Sequence, residues 1–254
     1  MTDRYFLLFR LRGPMSAYGE IAVGERRSTW HVPSKSAVLG LVAAGLGLDR
    51  FDAVAHSRLD TALGFAVRVD QPGRLMRDYH TAMAPKARKG ARWRTRKEEL
   101  EADDLNTVLS ERNYLIDLIA TVAFWAKSGA NIALEPLADA LRRPQFAPYL
   151  GRKACPLGAP PRPLVLSAQD LNSAFAAYDV SESAVGQDLR GFAPRIWLND
   201  RPSVWLELNA DMDLPVLERR LRRDALMNRP LWQFTDRPEG RYLYEAPIPG
   251  EASS

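Results

Sequence analysis

Tyr5-Phe6-Leu7-Leu8-Phe9-Arg10-Leu11-Arg12, closed by Gly13-Pro14, is the stretch from which the fold is read outward. Its first eight residues hold six apolar side chains, three of them aromatic, and the Gly-Pro pair that follows is a turn signal. A run this short and this apolar reads as a buried strand leading into a turn. It is far too short for a membrane span, which needs about 20 apolar residues, and two arginines interrupt it. It also lacks the cleavage pattern of a signal peptide.

Downstream, Pro33-Ser34-Lys35-Ser36 opens an Ala/Leu-rich stretch from Ala37 to Leu48, predicted as a helix with a serine N-cap. Gly40, Gly45 and Gly47 point to close packing or an early stop. Leu63 to Val69 reads as a second strand. Residues 86–97, KARKGARWRTRK, carry seven basic side chains and no acid, and an acidic patch from Glu98 to Asp104 follows. Neither part has an apolar face to bury, so an exposed excursion, a long hairpin or loop, is expected there. The core resumes at Arg112 with a run to Trp125 read as one bulged strand. Pro136 starts a short helix ending near Arg143, and Leu164-Val165-Leu166 supplies a last strand.

Strand, helix, strand, excursion, strand, helix, strand is the split βαβ pattern, so the predicted class is α+β with a ferredoxin-like, RNA-recognition-type core over 1–166. Pro-rich residues 156–163 mark a boundary, and 167–195 are polar and weakly patterned. A smaller C-terminal β-rich lobe over 167–246 is expected: a strand at Ser203–Leu208, a basic helix at Leu214–Leu226 and a closing strand at Tyr242–Tyr244. A flexible tail, 247–254, ends the chain.

The bulk numbers narrow the chemistry. The 254 residues include 35 Lys and Arg against 31 Asp and Glu, a net charge of +4 and a pI near 9.3. That is a mild lean toward an anionic partner. A lone cysteine, Cys155, excludes an intrachain disulfide framework and a Cys-based zinc cluster, and it points to the reduced cytoplasm. The histidines, His31, His56 and His80, show no metal-ligand spacing. Cys155 has no evident catalytic base and reads as a packing residue.

Two segments suggest anion binding. At Ser34, Lys35 and Ser36, a helix N-terminus, two hydroxyls and an ammonium converge, as a phosphate site would require; an ordinary N-cap with a solvated lysine is the plainer reading. The order is not that of a Walker A loop. Arg92, Trp93 and Arg94 mix cations with an aromatic, as single-strand binders do, although solvated charged loops share that composition. His80, beside Arg77, Asp78 and Tyr79, reads as a structural or RNA-contacting histidine rather than a general base.

The motifs go further. Gly13-Pro14-Met15-Ser16-Ala17-Tyr18-Gly19 resembles the G-P-M-Q-A-W-G signature of CasD-type proteins, the Cas-five family of repeat-associated RNA-binding folds in type I-E CRISPR systems. Here Ser16 and Tyr18 replace Gln and Trp. Pro33 to Leu41 resembles that family's P-T-[KR]-S-G-[LV]-L-G-L. Arg77-Asp78-Tyr79-His80-Thr81 resembles its R-D-Y-H-T, and Arg112 to Asp117 its R-x-Y-L-x-D. Pro148 to Leu157 is similar to P-Y-L-G-R-[RK]-[SA]-C-P-L, and Arg222-Arg223-Asp224 to a late R-R-D. The matches run in the family's order over about 5–230.

The resemblance implies a non-catalytic subunit of the Cascade surveillance complex that caps the 5′ handle of CRISPR guide RNA, without cofactor or metal. It implies a basic β-hairpin thumb inserted at about 81–111. The implied partners are the handle, the complex's backbone and large subunits, and target DNA indirectly; no membrane is involved. Lys35 with Ser34 and Ser36, and Arg26 with Arg27, would hold phosphates. Tyr149 would support a splayed base. Arg152 and Lys153 would contact the handle, with Arg77, His80 and Arg112 completing the RNA-binding set. Arg92, Trp93 and Arg94 would carry the thumb's contacts. A rival reading is a metal-free endoribonuclease acting on CRISPR repeat RNA, for which Tyr18, Lys35, His31 and His80 supply ingredients. Another is an interaction protein whose basic run binds only protein.

Overall fold

The run from Tyr5 forms β1 (Arg4–Arg12). Leu7, Phe9 and Leu11 face one core and Phe6 and Leu8 another, each at most 2% exposed. A strand buried on both faces has no polar side to alternate with, and so reads as a nearly continuous apolar run. The structure, a computed structural model, describes residues 3–19, 22, 24–86, 90, 92–188, 201–212 and 214–246. The expected tail from Pro247 lies outside the described residues.

After β1 come four two-residue strands, β2 (Met15–Ser16), β3 (Tyr18–Gly19), β4 (Arg26–Arg27) and β5 (Thr29–Trp30). Helices α1 (Lys35–Gly45) and α2 (Ala53–Ala62) lead to β6 (Leu63–Gln71). A long hairpin follows: β7 (Arg74–Pro85), short helix α3 (Arg96–Leu100) and β8 (Leu105–Ile116). Then come β9 (Ile119–Ala126), α4 (Glu135–Arg142), β10 (Leu164–Ala168) and α5 (Leu171–Asp188). Strands β11 (Ser203–Glu207), β12 (Glu218–Asn228) and β13 (Gln233–Leu243) complete the described elements.

The molecule is mixed α/β, with one large antiparallel sheet in the order β10-β1-β9-β6-β11-β13-β12 and few helices. On one face, Val42 of α1 and Leu137 and Leu141 of α4 pack on Phe9, Phe65 and Phe124. On the other, Phe175 and Tyr178 of α5 join Phe6, Trp125 and Val204. Helix α1 starts where the serine cap predicts: the Ser34 hydroxyl accepts from Ala37 N at 3.2 Å. It stops early, because Gly47 takes a left-handed φ of 71° and donates to the Ala44 carbonyl. Gly45 lets α4 approach, since a Cβ there would meet the Ala140 carbonyl oxygen at 2.7 Å.

Four expectations need correction. The run from Arg112 to Trp125 is not one strand. Asp117, at φ 60°, turns the chain from β8 in the hairpin sheet into β9 in the main sheet. Composition hides this break because Leu115, Leu118 and Ile119 are buried on both sides of it. The excursion is a hairpin already registered from Arg74 opposite Ile116 out to Pro85 opposite Leu105, so it begins well before the basic run. The weakly patterned 167–195 contains α5, whose buried Leu171, Ala174, Phe175 and Tyr178 follow helical spacing. The expected basic helix at 214–226 is largely strand β12, and its pattern is inverted: Arg222 and Asp224 are buried while Leu221 and Arg223 are exposed. Strand β11 pairs with β6, which joins the C-terminal strands edge-on to the same sheet.

Gly64 faces Trp125 directly across β6 and β9, and a Cβ on it would lie 2.1 Å from the indole Cε2. Trp125 is held by its own hydrogen bond to the Ala210 carbonyl at 2.7 Å and has no room to retreat. Gly64→Ala is expected to cost about 2–3 kcal/mol, read as a lower urea midpoint with an unchanged m-value.

Candidate nucleic-acid interface

The predicted anion site at the start of α1 exists, and the protein fills it itself. The Lys35 backbone N–H donates to Asp224 Oδ2 at 2.8 Å. The Lys35 ammonium, on a residue 1% exposed, donates to Glu207 Oε2 at 2.9 Å and to the Asp60 carbonyl at 2.7 Å. Lys127 binds the other oxygen of Glu207 at 2.8 Å. Burial pulls the Lys35 pKa down, opposed by Glu207 and Asp60. Lys35 is thus a structural cation inside an ion network, and the expectation that it holds an RNA phosphate is corrected. Ser34 is buried with it, while Ser36 stays partly open.

The late Arg222-Arg223-Asp224 motif is the partner of Pro33 to Ser36. Arg222 donates to the Val32 carbonyl at 2.7 Å, and Arg237 grips Asp224 with Nε at 2.8 Å and Nη2 at 3.0 Å. Glu239 takes a bond from Arg237 at 2.8 Å and two from Arg220, at 2.8 and 2.6 Å. The carboxylates hold the Arg237 pKa above its ordinary value despite burial. Two tryptophans pack against these cations: the Arg220 guanidinium lies 3.8 Å from the Trp205 ring centroid and that of Arg222 5.1 Å from Trp30. The period of β12 turns Arg223 outward.

Between α1 and the β12–β13 hairpin runs a groove of about 970 Å³. Trp30, Tyr149, Trp232 and Phe234 supply its aromatic surface, and Arg223 and Arg229 its cations, with Ser34 and Ser36 along the α1 side. Of the expected site residues, the groove gathers Ser34, Ser36 and Tyr149. Sequence reasoning missed Arg223, Arg229, Trp232 and Phe234. The signal was present in Asn228-Arg229-Pro230-Leu231-Trp232, a turn-type sequence with a cation and an aromatic.

A second set meets at the base of the β7–β8 hairpin. Strand β4 pairs in parallel with β8, placing Arg26 beside Glu111 and Arg27 beside Arg112. Across the hairpin Asp78 faces Arg112, Arg77 lies 3.2 Å from Glu111, and His80 Nε2 lies 2.5 Å from Asp78 Oδ2. Arg26, Arg27, Arg77 and Arg112 are exposed. Arg152 adjoins them but its guanidinium is engaged: it donates to Asn113 O at 3.0 Å and Arg27 O at 2.8 Å and lies over the Tyr114 ring. It pins β4 to β8; neighbouring Lys153 is exposed. Arg92, Trp93 and Arg94 sit exposed near the hairpin tip, with Trp93 41% exposed. The acidic patch folds back on the basic run: Asp104 pairs with Lys86 at 2.9 Å and Glu99 with Arg96 at 2.6 Å.

The ingredients of the nuclease reading do not form one exposed set: His31, one residue past Tyr18's strand partner Trp30, is exposed. Tyr18 is buried, and burial raises its phenol pKa. Lys35 is committed to Glu207, and His80 is on the hairpin.

Cationic and aromatic side chains are thus exposed at two places, the groove beside α1 and the base of the β7–β8 hairpin. The chain belongs to the CRISPR-associated Cas5 family, whose sequence profile, described as CRISPR-associated protein (Cas_Cas5), matches residues 6–229. It is 34% identical over 184 residues, 69% of this chain and 78% of the relative, to the CRISPR system Cascade subunit CasD of Escherichia coli (strain K12). Among solved structures it resembles a chain of a CRISPR RNA-guided surveillance complex, with TM-score 0.59, 25% identity and 98% and 95% of the two chains covered. It also resembles a crystal structure of a Cas protein, with TM-score 0.57, 26% identity and 94% of each chain covered.

Removing Asp224 leaves the first N–H of α1 without its acceptor and two buried guanidiniums short of a counter-charge. Asp224→Ala is expected to cost about 3–5 kcal/mol, measured by chemical denaturation. Because Lys35 faces inward, Lys35→Met is expected to lower stability while leaving the salt dependence of RNA binding by the folded protein unchanged; a shallower salt slope would restore it as a phosphate ligand.

Proposed function

We propose that this chain is the CasD-type subunit of a CRISPR RNA-guided surveillance complex, a non-catalytic protein that binds and caps the 5′ handle of guide RNA. The observation that carries this reading is the set of exposed arginines on three adjoining strands at the hairpin base, Arg26, Arg27, Arg77 and Arg112, two on each side of the ribbon. Separate sequence segments put two guanidiniums and one carboxylate on each side of the ribbon, Arg27 and Arg112 with Asp78 on one and Arg26 and Arg77 with Glu111 on the other, so each side is a cationic surface. Such a surface suits a phosphate backbone. Family membership and the likeness to a Cascade subunit support the same reading.

In this reading the core is ferredoxin-like. The order β10-β1-β9-β6, with α1 and α2 between β1 and β6 and α4 between β9 and β10, supports it. The β7–β8 hairpin is the thumb, and Arg92, Trp93 and Arg94 at its tip meet the guide or the neighbouring backbone subunit. Lys153 and His80 flank the handle, and the large subunit docks nearby, so that target DNA is reached only through the complex. Residues 1–166 carry the RNA-facing core, and 167–246 cover its second face and close the groove. Among the described residues no helix is long and apolar enough to cross a membrane, and the reading places the protein in the cytoplasm.

Purified full-length chain, titrated with its repeat-derived 5′ handle RNA and with a scrambled RNA across a salt series, tests this. Handle-preferring binding that weakens with salt is expected, with RNA left intact in EDTA. Arg26→Glu and Arg112→Glu should each weaken binding by about tenfold or more. Equal, salt-insensitive binding of both RNAs would sink the proposal, and cleavage at one position would make the protein an enzyme.

A further inference from the structure

Arg229 differs from the inward-facing arginines of the same hairpin. Arg220, Arg222 and Arg237 each reach a carboxylate. Among the described residues Arg229 pairs with none, and its Nε is buried without a hydrogen-bond partner. Burial draws its pKa down, with Arg50 acting in the same sense and Tyr149 against it. A half-buried cation with no counter-charge is an incomplete site.

The surroundings hold that cation in place. Asn228 Oδ1 accepts from Leu231 N at 3.1 Å and the Arg229 carbonyl from Trp232 N at 3.1 Å, which fixes the turn between β12 and β13. Trp232 sits at φ 54°, a left-handed conformation unfavourable for so large a side chain. In that position its ring lies 4.1 Å from the Arg229 guanidinium and 5.3 Å from that of Arg50. Arg229 Nη2 reaches Gly40 of α1, 3.6 Å from where a Cβ would stand. Tyr149, 44% exposed, and Arg223 also line the groove.

We infer that this groove is a nucleotide subsite for single-stranded RNA, in which Arg229, steadied by Trp232, takes a phosphodiester and Tyr149 stacks on an adjacent base. The inference rests on the RNA-binding reading above and assigns part of the strand to a surface distinct from the arginine cluster at the hairpin base. A phosphodiester supplies the anion that Arg229 lacks, and Arg223 at the groove lining adds a second cation for the strand. The aromatic surface favours a nucleic acid over a merely acidic peptide, because a base has a π-face to offer Tyr149.

The test uses full-length protein and fluorescein-labelled handle RNA in a salt series. Arg229→Ala should weaken binding about tenfold and reduce the slope of log K against log salt by about 0.7. Arg229→Lys should keep most of the slope and lose part of the affinity. Tyr149→Ala should weaken binding roughly fivefold or more with the slope unchanged. Thermal melts separate these effects from misfolding. As a check needing no variant, wild-type protein is photo-crosslinked to 4-thiouridine-substituted handle RNA. Crosslinks at Tyr149 or within 223–234 support the subsite, and crosslinks confined to 74–116 overturn it. If wild type binds RNA but the Arg229 and Tyr149 variants match it in affinity and slope, the subsite falls and the broader function stands. If wild type binds no RNA, both fall.

Discussion

The carboxylate of Asp224 under the first turn of α1 is the interaction on which much of the molecule's shape depends. It is a contact between residues 189 apart in sequence, made at 2.8 Å to the Lys35 N–H, and Arg237 completes it from the adjoining strand. Alone, a buried charge of this kind would be costly. Arranged with Arg222, Glu239 and Arg220, it becomes a ladder in which most cations and anions have near neighbours of opposite sign. Such a ladder adds less to net stability than an apolar core of equal volume. Its contribution is to specify where the β12–β13 hairpin lies, because a slip of one residue would turn Arg222 and Asp224 onto the opposite face and out of reach of Glu239, Arg237 and Lys35. The groove has one wall on α1 and the other on that hairpin, so its width is set by the same ionic contacts.

The sheet itself carries a second constraint. An RNA-recognition module usually leaves one sheet face open, with aromatics for bases to stack on. Here α5 covers that face, with Phe175 and Tyr178 packed among Phe6, Trp125 and Val204. Polar groups that cross the same face are also buried: Arg68 lies 2.6 Å from Asp70 and 2.7 Å from Asp179 and stacks under Phe175. With neither face free, the exposed cations and aromatics lie at the edges and loops, on β4, β7 and β8 and along the groove.

This division explains what could be read from residues alone. The doubly buried strands β1 and β6, the serine-capped α1 and the proline-started α4 follow ordinary rules of periodicity and capping, and they were legible. The turn at Asp117 was not, because its flanks are as apolar as the strands it separates. Strand β12 was misread as a helix because its inward side is charged and its outward side carries Leu221; the rule that apolar residues face inward is reversed there. The same reversal hid the role of Lys35, whose spacing signals an anion site correctly but cannot reveal that the anion comes from Asp224. The groove's second wall was out of reach for a related reason: Tyr149 and Arg229 belong to distant segments, and only the folded sheet brings them into one cavity.

The β7–β8 hairpin extends as a ribbon of twelve registered pairs from Arg74 opposite Ile116 to Pro85 opposite Leu105. Along such a ribbon each residue adds about 3.4 Å and reverses the side from which its group projects. Relatives of this protein can therefore lengthen or trim the arm while keeping its tip facing the same way only by inserting or deleting two residues in each strand. The reach of the arm is thus quantised in steps of about 7 Å. A single-residue change would need a bulge to absorb it or would present the opposite side of the tip to whatever lies beyond. Divergence in the length of the arm should be written in even-numbered gaps.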